Sequence, residues 1–211
     1  EGGLAQVIRT TRMMHEQGYL NAGHDWIHAL GVSTPLWAVL LTKIQNCLRV
    51  TNPNLTVSYD SSSPFQNGGK FEKPNYSVPF TNKVSSWSIK TGTTKSVQRF
   101  DLVGSKDPFP YNSPLGKVMQ LGHINVREEL FGKKQFDTIS NMLLTNHNVW
   151  VYLDAFDRAN DAVFKDPQQS NVPQKYLDAL DVMDEAFVTP NWQTLLTKHK
   201  DVLDAVAKSQ Y

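Results

Sequence analysis

Residues 26–32 read Trp-Ile-His-Ala-Leu-Gly-Val, and residues 55–60 read Leu-Thr-Val-Ser-Tyr-Asp. Both are short, mostly apolar runs of the kind found in buried parallel strands. Between them, Ser33 or Thr34 can cap a helix that has Pro35 in its first turn. Strand, helix and strand joined by short loops predict a parallel α/β sheet or barrel.

The segments on either side of this unit have different characters. Apolar residues at helical spacing over residues 4–17 predict a helix before it. Six prolines and a Gly-Gly pair between residues 64 and 115 argue against helix there, and short β-prone pieces at 86–89 and 96–100 suggest hairpins. From about residue 126, apolar spacing predicts helices to the end of the chain.

The composition is that of a globular chain with one sizeable core. Among 211 residues, 21 Lys and Arg stand against 20 Asp and Glu, and 40% of the residues are hydrophobic. The single cysteine, Cys47, cannot form an internal disulfide or a Cys-rich zinc site. No run approaches the ~18 apolar residues of a membrane span, and the start has no signal-peptide pattern. These features predict a soluble, cytoplasmic protein without a membrane partner.

The charge is unevenly distributed along the chain. Residues 65–117 carry eight basic and three acidic residues, a net +5, whereas residues 132–211 carry eight basic and eleven acidic residues, a net −3. Phe71, Phe80 and Trp87 lie within the basic segment. Basic and aromatic side chains together can bind a nucleic-acid backbone and stack its bases. A solvated loop face explains the same charges equally well.

Asp60 is the first candidate for chemistry, because it lies just past the carboxyl end of the second predicted strand. Parallel α/β folds place their active sites there, and a carboxylate held in such a site can act as nucleophile or general base. From position alone, a local turn cap is the better supported interpretation of Asp60. The six histidines are scattered without the spacing of a metal site.

Three short motifs resemble, in order, parts of the tRNA-guanine transglycosylase superfamily, whose members exchange guanine for a 7-deazaguanine base. Residues 2–5, Gly-Gly-Leu-Ala, resemble the loop after the sixth barrel strand, which binds the incoming base through its backbone. Residues 28–32 resemble the seventh strand, and residues 59–63 resemble the end of the eighth. The resemblance therefore assigns base binding to Gly2, Gly3, Leu4 and Leu30, and nucleophilic catalysis to Asp60.

A fourth motif both supports the resemblance and departs from it. Residues 144–148, Leu-Thr-Asn-His-Asn, resemble the family's Thr-Glu-His-Asn helix, with Asn146 where glutamate is usual. The histidine at the position of His147 normally binds zinc with a cluster of cysteines, but residues 116–121 contain none. The sequence therefore predicts that the family's zinc site is lost and that the protein has no cofactor.

The resemblance implies an α/β fold, the C-terminal part of a TIM (β/α)8 barrel followed by an irregular β-containing insertion and a helical C-terminal region. The expected boundaries are residues 1–64 for the last barrel strands and helices, 65–122 for a basic insertion replacing the zinc subdomain, and 123–211 for the helical region. A complete barrel takes ~250 residues. The chain is therefore expected to be the C-terminal portion of a longer polypeptide, whose N-terminal portion supplies the remaining strands.

The lost zinc site and the basic insertion resemble the phage-type branch of the superfamily, which acts on DNA. The expected function is a pentosyltransferase that exchanges guanine for a 7-deazaguanine base in DNA, in the cytoplasm of a phage-infected bacterium. The sequence does not decide whether the chain forms a homodimer. One alternative is a tRNA-guanine transglycosylase without zinc, and another is a non-catalytic nucleic-acid-binding or partner subunit. The candidate phosphate contacts are Lys70, Lys73, Lys83, Lys90, Lys95 and Arg99.

Overall fold

The computed structural model describes residues 3–69, 75–77, 87, 89, 91–93, 105–109, 113–124, 126–130, 133–166, 168–169 and 172–208. The chain divides into two compact units. The first consists of Glu1–Asp60, Asn82–Trp87 and Arg158–Tyr211, and the second of Ser61–Thr81 and Ser88–Asp157.

Both units contain helices and short strands. The helices, in chain order, are α1 (Leu4–Glu16), α2 (Pro35–Arg49), α3 (Ser63–Gly69), α4 (Thr138–Phe164), α5 (Gln174–Val188), α6 (Trp192–Lys198) and α7 (Lys200–Lys208). The strands are β1 (Trp26–Ala29), β2 (Thr56–Tyr59), β3 (Asn75–Ser77), β4 (Thr91–Thr93), β5 (Val126–Leu130) and β6 (Lys133–Phe136).

The first unit contains the strand–helix–strand element that the sequence predicts. β1 and β2 pair in parallel, with Trp26 opposite Thr56 and Ala29 opposite Tyr59. α2 connects them, and it begins as expected, because the Thr34 hydroxyl accepts a hydrogen bond from the Trp37 N–H at 3.4 Å. Two strands are paired in this sheet among the residues described, so the barrel implied by the resemblance stays a prediction.

Helix packing provides the core of the first unit. α1 packs against α5, α6 and α7, and α2 packs against α5. The apolar side of α2 is fully buried along Leu36, Leu40, Ile44 and Leu48. Burial of several such side chains, each contributing about 1.5–3 kcal/mol, fixes α2 and therefore the positions of both strand ends that it joins.

The second unit has a core of its own and two antiparallel pairs of strands. Phe109, Met119, Ile124 and Leu144 form a buried apolar cluster in which Leu144 comes from α4. β3 pairs with β4, and β5 pairs with β6. The last of these pairs corrects one sequence expectation, because β5 and β6 are paired strands where helix was predicted.

Two further expectations about local structure are wrong for identifiable reasons. α3 exists although Pro64 was expected to exclude helix; Pro64 occupies the first turn, where the missing N–H has no intrahelical partner to lose. β1 was expected to be a buried strand, yet Trp26 is 68% exposed and the strand alternates between exposed and half-buried residues. The predicted β-prone piece at 96–100 lies outside the described residues.

None of the helices in the described parts of the chain is long and apolar enough to cross a membrane.

Candidate functional site at the carboxyl ends of two strands

Asp60 follows β2 directly and is held in place by β1 and the segment after it. Its N–H donates to the Ala29 carbonyl at 3.3 Å, and its carbonyl accepts from the Val32 N–H at 2.8 Å. Its carboxylate atom Oδ1 accepts from the backbone N–H of Gly31 at 3.1 Å. This bond joins residues 29 positions apart, so it holds the carboxylate across the sheet, and no hydrogen bond among the described residues makes Asp60 the cap of a local turn.

The other carboxylate oxygen faces different surroundings. Asp60 is exposed, and among the described residues Oδ2 has no hydrogen-bond partner. A carboxylate with one oxygen held by a fixed N–H and the other one accessible is a suitable nucleophile, because its orientation is set before substrate arrives.

Gly31 and Leu30 form the adjoining part of the site. Gly31 has φ of 76°, a conformation in which any side chain is strained, and this conformation accompanies the N–H bond to Asp60. Leu30 is 79% exposed. An apolar side chain this exposed beside a held carboxylate is free to pack on the flat face of a base, which is the role that the resemblance gives it.

The same face of the sheet carries a polar and aromatic group that the sequence analysis missed. The Trp26 indole N–H donates to the Ser58 hydroxyl oxygen at 2.7 Å, and Nδ1 of His28 lies 2.8 Å from that oxygen. The Trp26 and His28 rings are tilted by 58°, with centroids 6.0 Å apart. The signal was present in the alternation of both strands, which places residues 26, 28 and 58 on one face.

The predicted base-binding loop lies at the start of α1. Gly3 is the N-cap of α1, and its carbonyl accepts from the N–H groups of Gln6 and Val7 at 3.0 and 3.3 Å. Leu4 is fully buried, so neither its side chain nor its backbone is exposed at the surface of the described structure. Gly2 lies outside the described residues, and no described hydrogen bond or ion pair joins Gly3 or Leu4 to Asp60.

Gly3 is packed tightly against a carboxylate from the C-terminal helix. A Cβ at position 3 would lie 2.0 Å from Oδ1 of Asp204, so only glycine fits against this side chain as it stands. The other oxygen of Asp204 pairs with Lys200 at 3.1 Å. A negative charge beside the first turn of α1 is favoured by the helix dipole, which gives Asp204 a structural reason for its position.

His147 lies in the second unit and is completely buried. Its Nδ1 is 2.8 Å from the Ser113 hydroxyl oxygen, and the ring of Phe109 packs edge-on against the imidazole at 5.1 Å between centroids. Among the described residues, no three His, Cys, Asp or Glu side chains come together as a metal ion requires. The described neighbours of His147 are a hydroxyl and an aromatic ring, and the expected loss of the family's zinc stays a prediction.

The rest of the fourth motif is structural. Asn148 is buried, and its side-chain amide donates to the Pro64 carbonyl at 3.2 Å, which ties α4 to α3. Asn146 is exposed, and its amide donates to the Met142 carbonyl within α4 at 2.8 Å. Position 146, where the family has glutamate, therefore makes only a bond within its own helix among those described.

The predicted nucleic-acid contacts cannot be placed in the same way. Lys70, Lys73, Lys83, Lys90, Lys95 and Arg99 all lie outside the described residues. Trp87, one of the aromatic residues expected to stack on bases, is 1% exposed and packs edge-on against Tyr176 at 5.4 Å. It is a core residue of the first unit and not a stacking surface.

Comparison of the chain with protein-family models, curated proteins and solved structures finds no match.

Proposed function

We propose that this chain is the C-terminal portion of a guanine transglycosylase that exchanges guanine for a 7-deazaguanine base in DNA, with Asp60 as the nucleophile. The proposal places this activity in the cytoplasm, and in that of a phage-infected bacterium if the resemblance to the phage branch holds.

One observation carries the proposal. The Asp60 carboxylate stands at the carboxyl ends of two parallel strands, with Oδ1 held by the Gly31 N–H and the exposed side chain of Leu30 beside it. A fixed nucleophile and an apolar surface for a planar base are two of the groups that base exchange at a sugar requires.

The reaction proceeds in two displacements at C1′ of a deoxyguanosine. An oxygen of Asp60 forms a bond to C1′ as the C1′–N9 bond breaks. The electron pair of the C1′–N9 bond leaves with guanine, which takes up a proton. N9 of the 7-deazaguanine base then attacks C1′ and loses its proton, and the C1′–oxygen bond breaks to regenerate the carboxylate. The target base first leaves the duplex, which costs a few kcal/mol of unstacking.

The exposure of the sheet supports a further part of the proposal, that an N-terminal portion supplies more strands. Parallel sheets occur almost only where both faces are covered. Here two large apolar residues are exposed. Trp26, in β1, is 68% exposed, and Leu30, the residue after β1, is 79% exposed. Additional strands closing over this face would bury both residues and enclose Asp60.

Two other functions are compatible with the resemblance. A tRNA-guanine transglycosylase without zinc would use the same Asp60 chemistry on RNA. A non-catalytic nucleic-acid-binding or partner subunit would not need a held carboxylate, so the Gly31–Asp60 bond favours the enzyme over this alternative.

The first experiment compares Asp60→Asn with Asp25→Asn. Asp25 is an exposed carboxylate at the other end of the same sheet, next to β1, so it is a matched control. The protein is purified with any companion polypeptide, which electrophoresis and intact mass measurement identify. Exchange is then measured as the release of labelled guanine from duplex DNA, or from tRNA, when a 7-deazaguanine base is added.

We expect exchange on DNA by the wild type and by Asp25→Asn, and none by Asp60→Asn, with unchanged unfolding curves for all three. Exchange on tRNA alone would support the RNA enzyme. Binding of DNA without exchange by the wild type would support the non-catalytic alternative, and full exchange by Asp60→Asn would remove Asp60 from the mechanism.

A further inference from the structure

The hydrogen bonds around Ser58 hold the Nδ1 side of the His28 ring. The Trp26 indole N–H can only donate, so the Ser58 oxygen accepts from it at 2.7 Å. Nδ1 of His28 lies 2.8 Å from the same oxygen, and it accepts the hydroxyl proton in one tautomer and donates to a second lone pair in the other. In both tautomers Nε2 is left for another partner, and it carries the ring proton when Nδ1 accepts.

His28 and Asp60 belong to the same face of the sheet. His28 is opposite Ser58 in the register, and Asp60 is two residues beyond Ser58 on the same strand. The spacing of neighbouring strands and the rise per residue put the two backbones about 8 Å apart on this diagonal. No hydrogen bond or ion pair between His28 and Asp60 is found in the described part of the chain, and both residues are exposed.

This face therefore offers two polar atoms that do not satisfy each other. Within the described structure, Nε2 of His28 has no hydrogen-bond partner, and Oδ2 of Asp60 has no donor. The gap between them suits a small ring that carries oxygen atoms, because each side chain can then reach a different atom of that ring.

We propose that His28 is a sugar-binding residue of the Asp60 site. In the tautomer with the proton on Nε2, His28 donates to an oxygen of the nucleoside's sugar, while Asp60 faces C1′ of the same ring. Trp26 and Ser58 are positioning residues, since they hold the Nδ1 side of the imidazole. The choice of a nucleoside as the ligand rests on the proposed function. The assignment adds a second contact with the substrate to that of Asp60, the nucleophile predicted from the sequence.

Two substitutions at position 28 separate hydrogen bonding from packing. His28→Phe keeps a ring without a donor, and His28→Gln keeps a donor. One lost hydrogen bond to substrate corresponds to about a tenfold loss of kcat/KM. We expect this loss for His28→Phe, recovery of most of it in His28→Gln, and an intermediate value for Ser58→Ala. His24→Gln, which changes an exposed histidine in the preceding loop, is the control and should behave as the wild type.

A binding experiment on the complete protein tests the contact without exchange. In nitrogen–proton NMR spectra, added deoxyguanosine should shift the His28 Nε2 resonance, and His28→Phe should bind the nucleoside about tenfold more weakly. Such binding without exchange would uphold the contact while overturning the proposed function. Exchange or binding by His28→Phe at wild-type strength would overturn the contact alone. A loss in His28→Phe that only matches a loss of folded protein would also overturn it.

Discussion

The backbone N–H of Gly31 donates a hydrogen bond of 3.1 Å to Oδ1 of Asp60, across the end of a parallel strand pair. The two residues are brought together by the pairing of β1 with β2, and the bond depends on the direction of one peptide group. Because Gly31 has φ of 76°, that direction is set by a backbone conformation that favours glycine. The orientation of the proposed nucleophile is thus determined by a residue that has no side chain.

Replacing Gly31 by alanine should therefore reduce exchange more than it reduces stability. Gly18 is a matched control, since it has the same φ of 76° and equally open space for a Cβ. Each alanine should cost about 1 kcal/mol in the free energy of unfolding because of the strained backbone. Only Gly31→Ala should lower the exchange rate at C1′, and equal rates for the two variants would contradict a role for the Gly31–Asp60 bond.

The sequence predicted the parts of this site that depend on local pattern. The two strands, the helix between them and the position of Asp60 after β2 all follow from apolar runs, a cap and a proline. The Gly31–Asp60 bond could not be predicted in the same way, because it depends on the register of two strands. Register depends on which face of each strand is buried in the folded protein, which no short motif encodes.

The errors have a common physical cause, which is that exposure is a tertiary property. Trp26 was assigned to a buried strand and is exposed, whereas Trp87 was assigned to a nucleic-acid surface and is buried. Both assignments used the apolar or basic character of the neighbouring residues. His28 was missed as a candidate for the same reason, since a strand expected to be buried on both faces gives no reason to examine its alternate residues.

Cys47 should react slowly with alkylating reagents in the folded protein. Burial and the nearby Asp184 carboxylate raise the pKa of the Cys47 thiol to about 12. At about pH 8 the reactive thiolate is then roughly one part in ten thousand. The alkylation rate with iodoacetamide, measured in buffer and in denaturant, should rise steeply on unfolding.

A variant identifies the contribution of the carboxylate to that pKa. The Cys47 sulfur donates to Oδ1 of Asp184 at 3.6 Å, and Lys43 pairs with the other oxygen. Asp184→Asn removes the negative charge, so it should lower the thiol pKa and speed alkylation of the folded protein. An unchanged rate in Asp184→Asn would show that burial alone controls the reactivity.

His15 should make the stability depend on pH in a definite direction. Burial lowers the pKa of His15 below its ordinary value of about 6.5, and the adjacent Arg12 lowers it further, against the opposing effect of Glu16. The Arg12 guanidinium donates to Nδ1 of His15 at 2.9 Å, so Nε2 donates to the Thr51 hydroxyl at 2.7 Å. The imidazole is therefore held in its neutral form.

Because the folded pKa is lowered, the unfolded chain takes up the proton first as the pH falls. The contribution of His15 to stability is present above about pH 6.5 and is lost as the pH drops through that value toward the folded pKa. Urea unfolding at several pH values should show His15→Gln less stable than wild type at about pH 8, with the difference shrinking at about pH 5. A constant difference between His15→Gln and the wild type at all these pH values would contradict the lowered pKa.

Ser113 should stabilise the second unit through His147, without a metal ion. The Ser113 hydroxyl accepts from the Gly116 N–H at 2.8 Å and is 2.8 Å from Nδ1 of the imidazole, and both side chains are fully buried. Ser113→Ala leaves two buried polar groups without this partner, which should lower the free energy of unfolding by about 2 kcal/mol. Ser105→Ala removes a hydroxyl whose described bonds are near the surface and should change it by less than about 0.5 kcal/mol. If the family's zinc site is lost, as the sequence predicts, addition of a chelator should leave the unfolding midpoint of the wild type unchanged. A midpoint that falls with chelator and recovers with zinc would show that the family's metal is retained by other residues.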